Sequence, residues 1–152
     1  MLKVFDFRVE TWVDGELRSS EEVADPLAYV ESLQQSFRSA PREDLPVFHG
    51  GLVGYFAYDT VRYVEPRLRP GMPPDRMGTP DILLMVAEEV LVFDNLSGTI
   101  RLVVNADPAR EDALSVAESR LDELAERLRQ PMPALPDVAL DAADSAALEG
   151  QA

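Results

Sequence analysis

Cysteine is absent from the 152 residues, so no disulfide, thiolate nucleophile or sulfur-ligated metal can form. That absence fits a reducing cytoplasm, the expected location. Positive charge is scarce: 14 basic residues face 28 acidic ones, a formal charge of −14. Nucleic acid and anionic lipid surfaces are excluded as main partners, because phosphate binding needs a cationic face. No apolar run approaches the roughly 20 residues that cross a bilayer, and Met1-Leu2-Lys3-Val4 does not begin a secretory signal. What the chain does have is an ordinary globular composition, 46% hydrophobic and 28% charged. One domain with a real core is the size it allows.

Turn chemistry organises the first third. Lys3 to Glu10 is rich in β-branched and aromatic residues with partial period-two alternation and predicts a strand. Asp14-Gly15 between Thr11-Trp12-Val13 and Glu16-Leu17-Arg18 predicts a tight hairpin, since both turn residues accept positive φ. Asp25 as cap and Pro26 at the first helical position open a helix over Asp25–Ser39. Its apolar stripe is Leu27, Val30, Leu33 and Phe37, with Tyr29 beside it. Ser39-Ala40-Pro41 ends it.

The stretch from Phe48 to Val64 predicts a buried strand with three glycines, followed by a helical turn bearing Val61 and Val64. Residues 65–80 hold five prolines and two glycines and predict an irregular loop. Ile82 to Val86 is nearly pure apolar, the pattern of a central strand covered on both faces. Val90–Phe93 and Thr99–Val104 flank Asp94-Asn95-Leu96-Ser97-Gly98, a second hairpin with Gly98 in the left-handed position. A second helix over Pro108–Gln130 carries Leu114, Ala117, Leu121, Leu124 and Leu128 on one face, a stripe that packs on a sheet. Residues 131–152 contain three prolines, four acids and no base, the composition of a linker or loose tail. The fold class predicted is α+β: a mainly antiparallel sheet with hairpins and two main helices packed on it, in a domain over 1–130 with the tail at 131–152.

The usual catalytic constellations are weakly represented. His49 is the single histidine, and beside a glycine pair it reads as a loop or strand-edge residue rather than a ligand or base. Gly50-Gly51-Leu52-Val53-Gly54 lacks the ending of a P-loop and the glycine order of a dinucleotide site. Glycines within a strand instead permit a bulge or the close approach of another backbone. Glu88-Glu89 would point to opposite faces of a strand and fit a turn or bulge better than a carboxylate pair. Arg62, Arg67, Arg69 and Arg76 form a cationic island with a local excess of two positive charges. Such arginines either grip a small dicarboxylate or form loop ion pairs, and the sequence leaves their role open.

From Gly50 through Gly54-Tyr55-Phe56-Ala57-Tyr58-Asp59-Thr60-Val61-Arg62, the chain resembles the N-terminal domain of anthranilate synthase component I. The resemblance continues through Tyr63-Val64-Glu65, Gly78 to Val86 and Val92 to Leu96, and covers most of residues 2–131. Ala57 departs from it, standing where that family commonly has glycine. Gly50, Gly51, Gly54, Tyr55, Tyr58, Asp59 and Arg62 are the family motif residues, and their expected role is structural. The Leu-Leu-Glu-Ser segment through which the family binds feedback tryptophan has no counterpart here.

The resemblance implies that the complete enzyme converts chorismate and an ammonia donor to anthranilate and pyruvate, with Mg²⁺ as cofactor. It also implies a glutamine amidotransferase subunit and a chorismate-binding catalytic domain as partners. No catalytic, cofactor or metal position of that family maps onto a residue of this chain. The expectation is therefore a structural and tryptophan-feedback portion, inactive alone, with sheet edges and apolar faces left uncovered and prone to association. A free-standing binding or scaffold module and the equivalent part of aminodeoxychorismate synthase are the alternatives.

Overall fold

In the computed structural model, residues 1–37, 43–71 and 75–131 are described. The predicted helix end at Ser39-Ala40-Pro41, part of the proline-rich loop and nearly all of the 131–152 tail lie outside them. The architecture is α+β, and every strand pairing is antiparallel. A five-stranded sheet has the order β3-β2-β1-β5-β4, and a separate hairpin pairs β6 with β7.

The segment read as one opening strand is two. β1 (Leu2–Phe5) and β2 (Arg8–Val13) form a hairpin that turns at Asp6, whose φ is +53°. The Asp14-Gly15 turn follows as predicted, both residues at positive φ, and leads into β3 (Glu16–Glu22). β3 is exposed along its whole length and forms one sheet edge.

Asp25 caps α1 (Pro26–Ser36), its carboxylate accepting the Leu27 and Ala28 amides at 2.9 and 3.1 Å. Leu27, Val30 and Leu33 turn toward the sheet, where Val30 joins Leu2, Val4, Val9, Ile82 and Leu84 in the core. Phe37 does not continue that stripe: it is the C-cap and stays exposed.

Among the described residues β4 (Gly51–Phe56) pairs only with β5 (Ile82–Ala87), so there it is the second edge rather than the buried strand expected. β5 is central between β1 and β4, but only one of its faces is covered. Ile82 and Leu84 are buried under α1, whereas Met85 on the opposite face is 49% exposed.

Glu88 is the break between β5 and β6 (Glu89–Asp94). β6 turns through Asp94, which accepts the Leu96 and Ser97 amides, and Gly98 at φ +65° into β7 (Thr99–Val104). The second long helix begins at Ala113, not at Pro108. Asp107 accepts the Ala109 amide and closes a local turn instead of capping. That helix, Ala113–Arg129, packs on β7 rather than on the five-stranded sheet, so the two main helices cover different sheets. Leu124 is its buried anchor, while Leu114 and Leu128 remain exposed. Among the described residues no helix is long and apolar enough to cross a membrane.

Candidate functional site

The motif-rich stretch comes together at one end of the five-stranded sheet. After β4, residues Tyr58–Thr60 make a 3₁₀ turn and Val61–Val64 make the short helix α2, the helical turn expected there. Gly54 lies where β4 crosses closest to β5. A Cβ at that position would run into the Leu83 carbonyl oxygen and approach the Leu84 Cα at 3.0 Å. Only glycine permits that backbone approach. Gly50 is held at φ +142°, and a Cβ there would collide with the Asn105 amide and touch the Ala87 carbonyl oxygen at 3.0 Å. The Asn105 side chain instead donates to the carbonyls of His49 at 2.7 Å and Glu88 at 3.1 Å, tying the start of β4 to the β5–β6 break. Gly51 also has positive φ, with open space around it.

Asp81, just before β5, is the hub. Its amide donates to Val4 at 2.8 Å and its carbonyl accepts from Ala57 at 2.7 Å, so its backbone joins the ends of β1 and β4. One carboxylate oxygen accepts from Arg62 at 3.1 Å. The other accepts the Asp6 amide at 2.9 Å and lies 2.8 Å from the Tyr63 hydroxyl. That hydroxyl is also 2.7 Å from the Asp6 carbonyl, so its single proton is shared by two acceptors. Arg69 donates to the Asp6 carboxylate at 3.1 Å, with its guanidinium 4.2 Å above the Phe7 ring and 5.9 Å from that of Tyr63.

Burial, and then the hydrogen bond and negative charge of Asp81, hold the Tyr63 phenol well above its ordinary value near 10. These contacts make the cluster an electrostatic clasp that closes one end of the sheet.

The predicted site residues divide. Gly54, Gly50 and Arg62 belong to this framework, and the Tyr55 hydroxyl donates to the Pro80 carbonyl at 3.1 Å. Arg62 also donates to the Asp59 carbonyl at 2.8 Å, while the Asp59 carboxylate stands back at 3.8 Å. Tyr58 is 92% exposed and takes no part. Of the arginine island, Arg62 and Arg69 join the clasp, Arg67 pairs with Glu65 at 2.9 Å and Arg76 is exposed. Asp6, Tyr63 and Asp81 were not singled out from sequence. The signals were slight: an aspartate interrupting a strand-like run, and another directly before an apolar one.

The residues of this cluster do not fit Mg²⁺. Among the described residues, no three metal-ligating side chains gather in one place. Asp6 and Asp81, the two carboxylates that meet at the clasp, are already engaged by arginine, phenol and amide donors.

Residues 3–148 match the sequence profile described as chorismate binding enzyme. The chain belongs to the chorismate-binding enzyme family. Within that family it is 48% identical over 143 residues to anthranilate synthase component 1 of Pseudomonas aeruginosa, a match covering 94% of this chain and 29% of that relative. To the same-named protein of Thermus thermophilus it is 44% identical over 116 residues, 76% of this chain and 23% of the relative. The crystal structure of anthranilate synthase component I from Streptococcus pneumoniae superposes with a TM-score of 0.63 at 26% identity, over 93% of this chain and 32% of that one. The chain thus spans about a third or less of the relatives it matches.

Proposed function

We propose that this chain is the N-terminal, structural and tryptophan-feedback portion of an anthranilate synthase component I. The complete cytoplasmic enzyme would aminate chorismate at C2 and eliminate pyruvate, taking ammonia from a glutamine amidotransferase subunit. Residues 1–130 would form the packed part and 131–152 a linker toward the chorismate-binding catalytic portion. The observation that carries this reading is 48% identity sustained over 94% of the chain against only 29% of the relative.

Two features of the fold support a structural role. Arg62, Arg69, Asp6 and Asp81 are spent on one another in the clasp. The face of β4 and β5 opposite α1 presents Val53, Tyr55 and Met85, each at least 40% exposed, a surface suited to a second sheet or layer. Mg²⁺ would be held by carboxylates of the catalytic portion.

The test is an anthranilate fluorescence assay with chorismate, Mg²⁺ and ammonia. The chain alone is expected to give no signal. Adding the separately expressed remainder of a relative's component I should restore it. Fluorescence from the chain alone would overturn the reading.

A further inference from the structure

β5 and β6 are one run of chain that changes partners at Glu88. Up to Ala87 it pairs within the five-stranded sheet, and from Glu89 onward it pairs with β7. Glu88 belongs to neither strand. The helix Ala113–Arg129 packs on β7, and its Arg120 grips Glu89, so hairpin and helix form one arm. The hydrophobic core of the five-stranded sheet contains no residue of that arm. A shared core would fix the arm's orientation by close packing. Among the described residues, hydrogen bonds across the junction take that place.

Asn105, the first residue after β7, lies opposite Glu88. Its backbone amide donates to the Glu88 carbonyl at 2.8 Å, extending the β6–β7 ladder by one rung. Its side-chain amide then donates to the His49 carbonyl at 2.7 Å and to the Glu88 carbonyl at 3.1 Å. His49 stands two residues before β4, so one side chain ties the end of the hairpin to the start of the sheet's edge strand. Gly50 keeps that route open, because a Cβ there would take the place of the Asn105 amide. Arg101 adds a second tie, donating from β7 to the Asp44 carbonyl at 2.8 Å. The Asn105 contacts lie at the surface, where water competes for the same carbonyls, so they can break and re-form.

We infer that Glu88 is a hinge and the Asn105 side chain its latch, holding the hairpin–helix arm at one angle to the five-stranded sheet. Every partner in the latch lies in this chain, and the inference is independent of the enzymatic reading above. The latch works by donation rather than by filling space. An ionised aspartate has the same shape but no proton to give to either carbonyl.

Double electron–electron resonance reads the angle, because a chain without cysteine accepts two labelled ones at chosen places. Spin labels at Ser19→Cys in β3 and Glu118→Cys on the helix, both exposed positions, span sheet and arm. One dominant distance is expected in the labelled parent, and several equally populated ones would overturn the inference. Asn105→Ala should raise the population at other distances about tenfold, the effect of losing two surface hydrogen bonds. Asn105→Asp should do the same. An unchanged distribution in Asn105→Ala, with the fold intact by circular dichroism, overturns the inference. The parent distribution retained in Asn105→Asp but not in Asn105→Ala means that the side chain acts by its bulk, and overturns the latch.

Discussion

At Gly54 a single hydrogen decides whether two strands can meet. A methyl group there would meet the backbone of Leu83 and Leu84, which cannot swing aside as a side chain can. Gly54→Ala is expected to cost about 1–3 kcal/mol in urea denaturation, the range for overpacking a fixed site. Gly51→Ala meets no neighbour, and its cost comes from positive φ alone. The Asp81 clasp gives the second residue-scale prediction. Asp81→Ala takes from Arg62 its partly buried carboxylate partner, leaving it the Asp59 contacts, and removes an acceptor from Tyr63 and from the Asp6 amide, so a loss of about 2–3 kcal/mol is expected. Tyr63→Phe, which leaves Asp81 its other partners, should cost about 1 kcal/mol. The clasp also fixes a sign in alkali. The Tyr63 phenol is raised in the folded state, so folding favours its protonated form. Its contribution is complete below the ordinary value near 10 and declines as pH rises toward the higher folded value. Denaturation midpoints measured upward from pH 10 should fall less steeply in Tyr63→Phe than in the parent.

At the scale of elements, legibility in the sequence followed the range of the interactions. Asp14-Gly15, Asp25-Pro26 and the Asp94–Gly98 turn were readable because each is stabilised within a few residues of itself. The turn at Asp6 was not, since its amide is held by Asp81, 75 positions away, and its carboxylate by Arg69. The same distance hid the clasp: a list of motif residues contains Arg62 but not the aspartate that receives it. Asp107-Pro108 misled for the opposite reason, a local turn imitating a cap, and the helix starts only at Ala113. That helix is fastened to β6 by Arg120, whose guanidinium grips the Glu89 carboxylate at 2.7 and 3.1 Å and also bonds Glu123. The hydrogen bond to Arg120 holds the Glu89 carboxyl below its ordinary value of 4.5. Its contribution is therefore present above 4.5 and lost as pH falls through the lower folded value. Both side chains are about a third exposed, so solvent screens the pair. Glu89→Gln should cost under about 1 kcal/mol at pH 7 and less still at pH 3, measured by urea titration at both values.

Across the whole molecule, charge and apolar surface are segregated. The face of β1 and β2 opposite α1 carries its own polar cover: Lys3 lies 4.2 Å above the Trp12 ring, Trp12 donates to Glu10 and Glu10 pairs with Arg8. The same face of β4 and β5 has no such cover and exposes Val53, Tyr55 and Met85. One half of the sheet is finished for water and the other for contact. This division bears on ligand binding. An amino acid such as tryptophan needs an apolar enclosure for its ring and an unspent cation for its carboxylate. In this chain the apolar surface is an open sheet face, while Arg62 and Arg69 are committed to Asp81 and Asp6 at the end of the sheet. On the reading that further parts of component I complete the feedback site, titration calorimetry of the chain with tryptophan should show no saturable heat. Saturation in the micromolar range would mean that the described domain binds the amino acid unaided, and the proposed division of labour between this portion and the rest of the enzyme would fail.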